Sequence, residues 1–309
     1  MAAAEPGDEG TAQPPGRWHV AWLAIRPKTL SLSVTPVAVG TALAVAEGHP
    51  LLTVPLTLAV LCALLIQVAT NLHNDAMDGV RGTDGPDRLG PARVTASGWA
   101  SARAVLWAAR LCATAALLFG AALVWIGGWV VMGIGLASLA AGWWYSGGPR
   151  PVSHGPLGEA FVLVFFGGVA VAGSHWLQAG HTTAAAWLAG AIVGLPAAAV
   201  LLLNNLRDLD SDTRAGRRTL VWHLGLRRTR QLHAWLLMGP CALVVCLALF
   251  SQPGVALACL SLPLAWQRVR ALRSREPGAW LNGELGATAR LGLIQGVLLC
   301  AGLLACPHP

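Results

Sequence analysis

The sequence predicts an all-α integral membrane protein, and three observations carry that reading: its composition, the length of its apolar segments and the placement of its basic residues. Of the 309 residues, 55% are hydrophobic and 11% are charged, against about 25% charged in an ordinary soluble domain. Mean hydropathy is +0.59. A hydrocarbon core roughly 30 Å thick takes about 20 apolar residues per helical crossing, so the chain has room for about nine. Collagen-like and disordered chains are excluded, because the glycines follow no triplet period and the apolar content is far too high.

The apolar segments follow one another near 33–47, 51–73, 104–122, 124–145, 157–178, 184–206, 232–250, 254–267 and 285–306. Backbone polar groups in hydrocarbon must pair internally, so segments rich in Ala, Leu, Val and Gly are expected as helices, packed closely through their small residues. The eighth is the shortest. Residues 1–16 hold acids but no base. They resemble neither a secretory signal nor a transit peptide and are expected to be a disordered tail before a transmembrane domain over 17–309. The cysteines stand mostly singly in apolar segments, without metal-ligand spacing, as small packing residues.

If every segment crosses, all 21 Lys and Arg fall on the side of the N-terminus or near the helix ends there, while the connections near 47–50, 120–128, 178–183 and 251–254 hold none. The positive-inside rule then places the N-terminus in the cytoplasm and the C-terminus outside the cell's inner (plasma) membrane. A net charge of +7 would suggest nucleic acid in a soluble protein. Here it reports orientation in a lipid bilayer, and no nucleic-acid partner is expected. Arg110 lies deeper in its segment, where snorkelling to the surface and a place in a polar cavity are both open.

Half of the 14 acids, Asp75, Asp78, Asp84, Asp87, Asp208, Asp210 and Asp212, lie in two cytoplasmic connections. Asn71, Asp75 and Asp78 share one helical face, and so do Asn204, Asp208 and Asp212, while Asp210 points elsewhere. The clusters recur 133 residues apart, each ending the second helix of a four-helix run. Two four-helix pseudo-repeats plus one further helix are expected. Facing carboxylates repel unless a cation bridges them, and Mg²⁺ favours a few carboxylates with water and substrate phosphates. A metal diphosphate held between the clusters fits. Asp-rich turns that merely solvate helix ends would need no matched faces, and an ion-coupled transporter would carry its acids near the bilayer midplane.

The bases nearby suit an anionic ligand. Arg93, in the loop after the first cluster, and Arg214, Arg217 and Arg218, after the second, are placed to close over phosphate oxygens, with a purely topological role an equal contender for each. Tyr145 opens Y-S-G-G-P-R-P at an inner helix end, as a diphosphate donor or an interface anchor. His73 and His154 read as satisfied polar residues.

These residues resemble the UbiA superfamily of membrane aromatic prenyltransferases. The ordered segments R26-P-K-T-L30, N74-D-A-M-D78 with Asp84 following, G90-P-A-R-V-T-A-S-G98, Y145-S-G-G-P149, L157-G-E159 and N204-N-L-R-D-L-D-S-D212 through L220 are similar to its dihydroxynaphthoate branch. The resemblance implies a central cavity ringed by the helices, Mg²⁺ on Asp75, Asp78, Asp84, Asp208 and Asp212, supporting contacts from Asn71, Asn74 and Asn204, and diphosphate on Lys28, Arg93, Arg214 and Arg218. It also implies a polyprenyl diphosphate donor and an aromatic acceptor, prenylated with loss of its carboxylate in menaquinone synthesis. Ala76 and Met77 stand where the branch commonly has aromatics and are expected to line a pocket, so 4-hydroxybenzoate and homogentisate stay open as acceptors.

Overall fold

The computed structural model describes residues 16–82 and 89–305, and among them every regular element is helical. The expected tail, apart from Gly16, and Asp84 and Asp87 lie outside the described residues. A helix not foreseen, α1 (Arg17–Ile25), runs to Arg26, whose left-handed backbone, φ 57°, turns the chain into a single 3-10 turn, Pro27–Thr29. The first apolar segment follows as α2 (Ser31–Ala46), and the second as α3 (Thr53–Arg81), closed by Gly82 in the left-handed conformation that glycine adopts without strain.

The third and fourth segments form one 45-residue element, α4 (Ala102–Ser146), broken at Gly128, φ 71°. Unbroken, it would measure about 68 Å at 1.5 Å per residue, twice a hydrocarbon core. The glycine therefore divides it into the two crossings expected, and its faces carry exposed Leu and Trp suited to lipid. Arg110 is exposed there, its guanidinium over the Trp107 ring at 5.4 Å, so it belongs to the outer surface and not to a cavity.

The second half repeats the plan. Helices α5 (Gly158–Val162) and α6 (Ala170–Ala179) join through a π-helical stretch, Leu163–Val169, into one 22-residue span. Then come α7 (Ala184–Arg207), the short α8 (Leu209–Arg214), α9 (Leu220–Phe250), α10 (Leu262–Ser274) and α11 (Leu281–Ala305). The eighth apolar segment begins as a 3-10 stretch, Pro253–Ser261, and becomes α-helical only in α10. Among the described residues, six helices, with α4 counted once, are long and apolar enough to cross a membrane by themselves, and the bent pair Arg17–Thr29 with Ser31–Ala46 makes a seventh. The count of nine is thus approximate. The chain is an integral membrane protein by these spans.

Burial explains the layout. Helix α7 is the most enclosed span, with one apolar cluster shared by α2, α9 and α11 near its start and another shared by α9, α10 and α11 near its end. Close approach there depends on glycine: a Cβ on Gly302 would collide with the carbonyl of Gly254, the small-residue packing that lipid-embedded helices use. Helices α3 and α4 form the second body. Between the two halves lies the cavity.

Candidate active site

The cavity has a volume of about 970 Å³ and is walled by α2, α3, α4, the α5–α6 span, α7 and α11. Its long body is apolar, with Val37, Cys62, Leu123, Phe161 and Phe165 on the wall, and its polar end gathers Asn74, Asp78, Arg93, Asp208, Asp212 and Arg217. Both Asp-rich segments therefore reach one chamber, although they are 139 positions apart between Asp78 and Arg217.

Asp78 is buried and held from two sides. Arg93 donates to its Oδ2 at 2.9 Å and Arg217 to its Oδ1, while Arg217 also reaches Asp212 at 3.3 Å. In the second half Arg207 donates to both oxygens of Asp208, at 2.8 and 2.6 Å, and also to Asn204 and Asn282. Three buried carboxylates thus face three buried guanidiniums, the arrangement that makes enclosed charge tolerable. Asn74 Oδ1 is buried at the same end with no hydrogen-bond partner. Three carboxylates and an unused amide oxygen form an all-oxygen donor set suited to Mg²⁺, and the guanidiniums beside them can exchange a carboxylate for the phosphates of a diphosphate.

Several residues sit differently from expectation. Asp75 does not line the cavity: its oxygens accept from the backbone N–H of Val94, 3.2 Å, and Thr95, 2.9 Å, so it pins the loop that carries Arg93. Asn71 lines the cavity and also donates to the carbonyl of Ile25 at 2.9 Å, tying α3 to the end of α1. Arg214 and Arg218 are exposed and outside the lining, the latter stacked on Trp222 at 4.9 Å. Ala76 is buried in the α3–α4 core and neither it nor Met77 lines the cavity. Lys28, Asn204 and Tyr145 do line it, Tyr145 packed on Phe161. His73 is buried and bonded to Ser146 Oγ at 2.9 Å. The loop after Tyr145 is clamped by Arg81, which donates to the carbonyls of Ser146, 2.6 Å, and Gly148, 3.0 Å.

Sequence reasoning missed Arg26 and Arg207, and passed over Arg217 in favour of its neighbours. All three line the cavity. Arg207 stands three residues after Asn204, on the face already marked out for the acids, and that spacing was the available signal.

The model of the UbiA prenyltransferase family matches residues 33–282. The chain belongs to this family. Its relatives include a 1,4-dihydroxy-2-naphthoate octaprenyltransferase of Escherichia coli, 39% identical, with 92% of this chain and 94% of that protein aligned. One of the same description from Mycobacterium tuberculosis is 35% identical, over 91% of this chain and 94% of that one. Among solved structures, a UbiA homolog from Archaeoglobus fulgidus bound to GPP and Mg²⁺ superposes with a TM-score of 0.66 at 15% identity, covering 91% of this chain and 99% of that one. The likeness to that structure is one of fold. The protein is a membrane-embedded prenyltransferase, as the family and the ordered sequence motifs agree.

Proposed function

We propose that the protein transfers a polyprenyl group from its diphosphate to 1,4-dihydroxy-2-naphthoate, with loss of carbon dioxide, in menaquinone biosynthesis, and that it does so at the cytoplasmic face of the plasma membrane with the C-terminus outside. The observation that carries this reading is the single chamber in which both Asp-rich segments meet above an apolar body. Asp78, Asp208 and Asp212, with Asn74, would hold Mg²⁺, which neutralises and polarises the leaving diphosphate.

The chain's own residues account for the rest. Arg93, Arg207 and Arg217, which hold these carboxylates, would turn toward the phosphate oxygens of the bound donor, so positive charge is already in place where negative charge grows. Asp75 keeps the Arg93 loop in register for that exchange. The apolar wall holds the prenyl chain and excludes water, which would otherwise capture the allylic cation. The allylic C–O bond breaks with its electron pair passing to diphosphate. A C–C bond then forms to the electron-rich ring carbon that bears the carboxylate. The C–CO₂ bond breaks, its electrons return to the ring, and the product is a prenylated naphthoquinol.

Dihydroxynaphthoate labelled in its carboxyl group, supplied with a polyprenyl diphosphate and Mg²⁺, tests this. Label is expected to leave as gas in step with product. Product that retains the label overturns the decarboxylating route. Exclusive use of 4-hydroxybenzoate or homogentisate overturns the acceptor and leaves prenyl transfer standing.

A further inference from the structure

Away from the cavity, two connections at the other end of the bundle bring together metal-binding side chains that prenyl transfer does not use. Glu47 and His49 lie between α2 and α3, and His181 lies between α6 and α7, the corresponding connections of the two pseudo-repeats. A carboxylate oxygen and two imidazole nitrogens converge there within 4.8 Å of one another. We propose that Glu47, His49 and His181 form a binding site for a borderline transition-metal cation, Zn²⁺ by preference.

The residues around this point are arranged as a ligand shell requires. His181 Nδ1 lies 3.1 Å from the carbonyl of Ala179. A carbonyl only accepts, so Nδ1 carries the proton and Nε2 keeps its lone pair for a cation. The buried His175 braces two of the ligands at once, its Nε2 2.7 Å from Glu47 Oε2 and its Nδ1 3.0 Å from the carbonyl of His181. Thr183 donates to the remaining oxygen, Glu47 Oε1, at 3.2 Å. Gln178 crosslinks the same connections, accepting from Leu52 N–H at 2.8 Å and donating to its carbonyl at 3.1 Å.

A Glu47–His175 ion pair, buried on the histidine side, would by itself explain those two residues. It gives no reason for the His49 and His181 rings to meet edge to face at 5.3 Å beside it. Two imidazoles with one carboxylate are a zinc donor set that leaves a fourth position for water, and they are a poor one for Mg²⁺. His181 is exposed, so a cation can enter from solvent. The site is remote from the chemistry: Asp78 lies 25 residues along α3 from Thr53, roughly 37 Å of helix. A bound metal would staple the two halves together.

Protein freed of any polyhistidine tag is loaded with Zn²⁺ in millimolar Mg²⁺, which keeps the Asp-rich end occupied, then gel-filtered. Zinc per chain is read by mass spectrometry, with the melting midpoint alongside. Near one zinc per chain is expected, with affinity at least about tenfold lower in His49→Ala and His181→Gln and unchanged in Asp208→Asn. Zinc should raise the melting midpoint of the wild type and not of the histidine variants, whose monodisperse elution reports folding. No retained zinc, equal retention in the histidine variants, or loss in Asp208→Asn would each overturn the site.

Discussion

Arg217 donates to Asp78 through one terminal nitrogen and to Asp212 through the other, so a single guanidinium closes the acidic ring between the two halves of the chain. Breaking a buried ion pair by removing one partner costs about 3–5 kcal/mol. Arg217→Ala is therefore expected to lower the melting midpoint in detergent and to cut kcat/KM by about 10²-fold or more. Arg217→Lys keeps the charge and loses the fork, so it should recover stability more fully than turnover. Wild-type kinetics in Arg217→Ala would remove this residue from the site.

Asp75 and Asp78 sit one helical turn apart and are expected to fail in different ways. Asp78→Asn, Asp208→Asn and Asp212→Asn should abolish turnover at every Mg²⁺ concentration. Asp75 holds backbone N–H groups of the Arg93 loop, and the side-chain amide that Asp75→Asn puts there would still offer one accepting oxygen. That variant should raise the KM for the diphosphate while leaving the Mg²⁺ concentration for half-maximal rate nearly unchanged. A large shift in the Mg²⁺ midpoint would return Asp75 to the metal.

The same loop depends on Gly79. A Cβ there would lie 2.5 Å from Thr95 Cγ2 and 2.8 Å from Thr95 Cβ, a contact the loop can relieve only by lifting off α3. Gly79→Val should accordingly reproduce the raised KM of Asp75→Asn. The double variant Gly79→Val with Thr95→Gly, which removes the obstructing side chain, should recover part of the loss. No recovery would mean that the valine acts through α3 itself.

Orientation is open to direct labelling. Thr213→Cys and Thr182→Cys place an exposed thiol at opposite ends of the bundle. In a background without the native cysteines, an impermeant thiol reagent is expected to reach position 182 from outside intact cells and position 213 only after the inner face is opened. The reverse pattern would invert the topology.

The helices and the meeting of the two acidic segments were legible because both follow from periodic rules, apolar length for the one and the i, i+4 face for the other. What escaped was which charge pairs with which. Arg214, Arg217 and Arg218 are indistinguishable in sequence, and only the turn after α8 buries the middle one. Asp75 was legible as a site residue but not as a brace, because its partners are backbone groups that depend on a loop's path. Glu47, His49 and His181 come from two distant connections, and neither alone holds a metal-ligand spacing.

A last expectation concerns pH. His154 lies in the 3-10 turn Val152–His154, outside the spans, where burial first, and then the charges of Arg217 and Arg81, push its imidazole down to about 4 against an ordinary 6.5, with Asp78 opposing them. As pH falls below 6.5, the unfolded chain takes up a proton here that the folded chain refuses until about 4. The unfolded state then binds more protons, so stability rises with pH across that window and levels off above it. The ring is partly exposed, which mutes the effect. Melting midpoints of the wild type should fall between pH 6.5 and 4 more steeply than those of His154→Gln, which has no proton to gain. Above that window the two curves should run parallel, because His154 stays neutral on both sides of the unfolding equilibrium. Identical slopes throughout would show that this imidazole does not resist protonation in the fold.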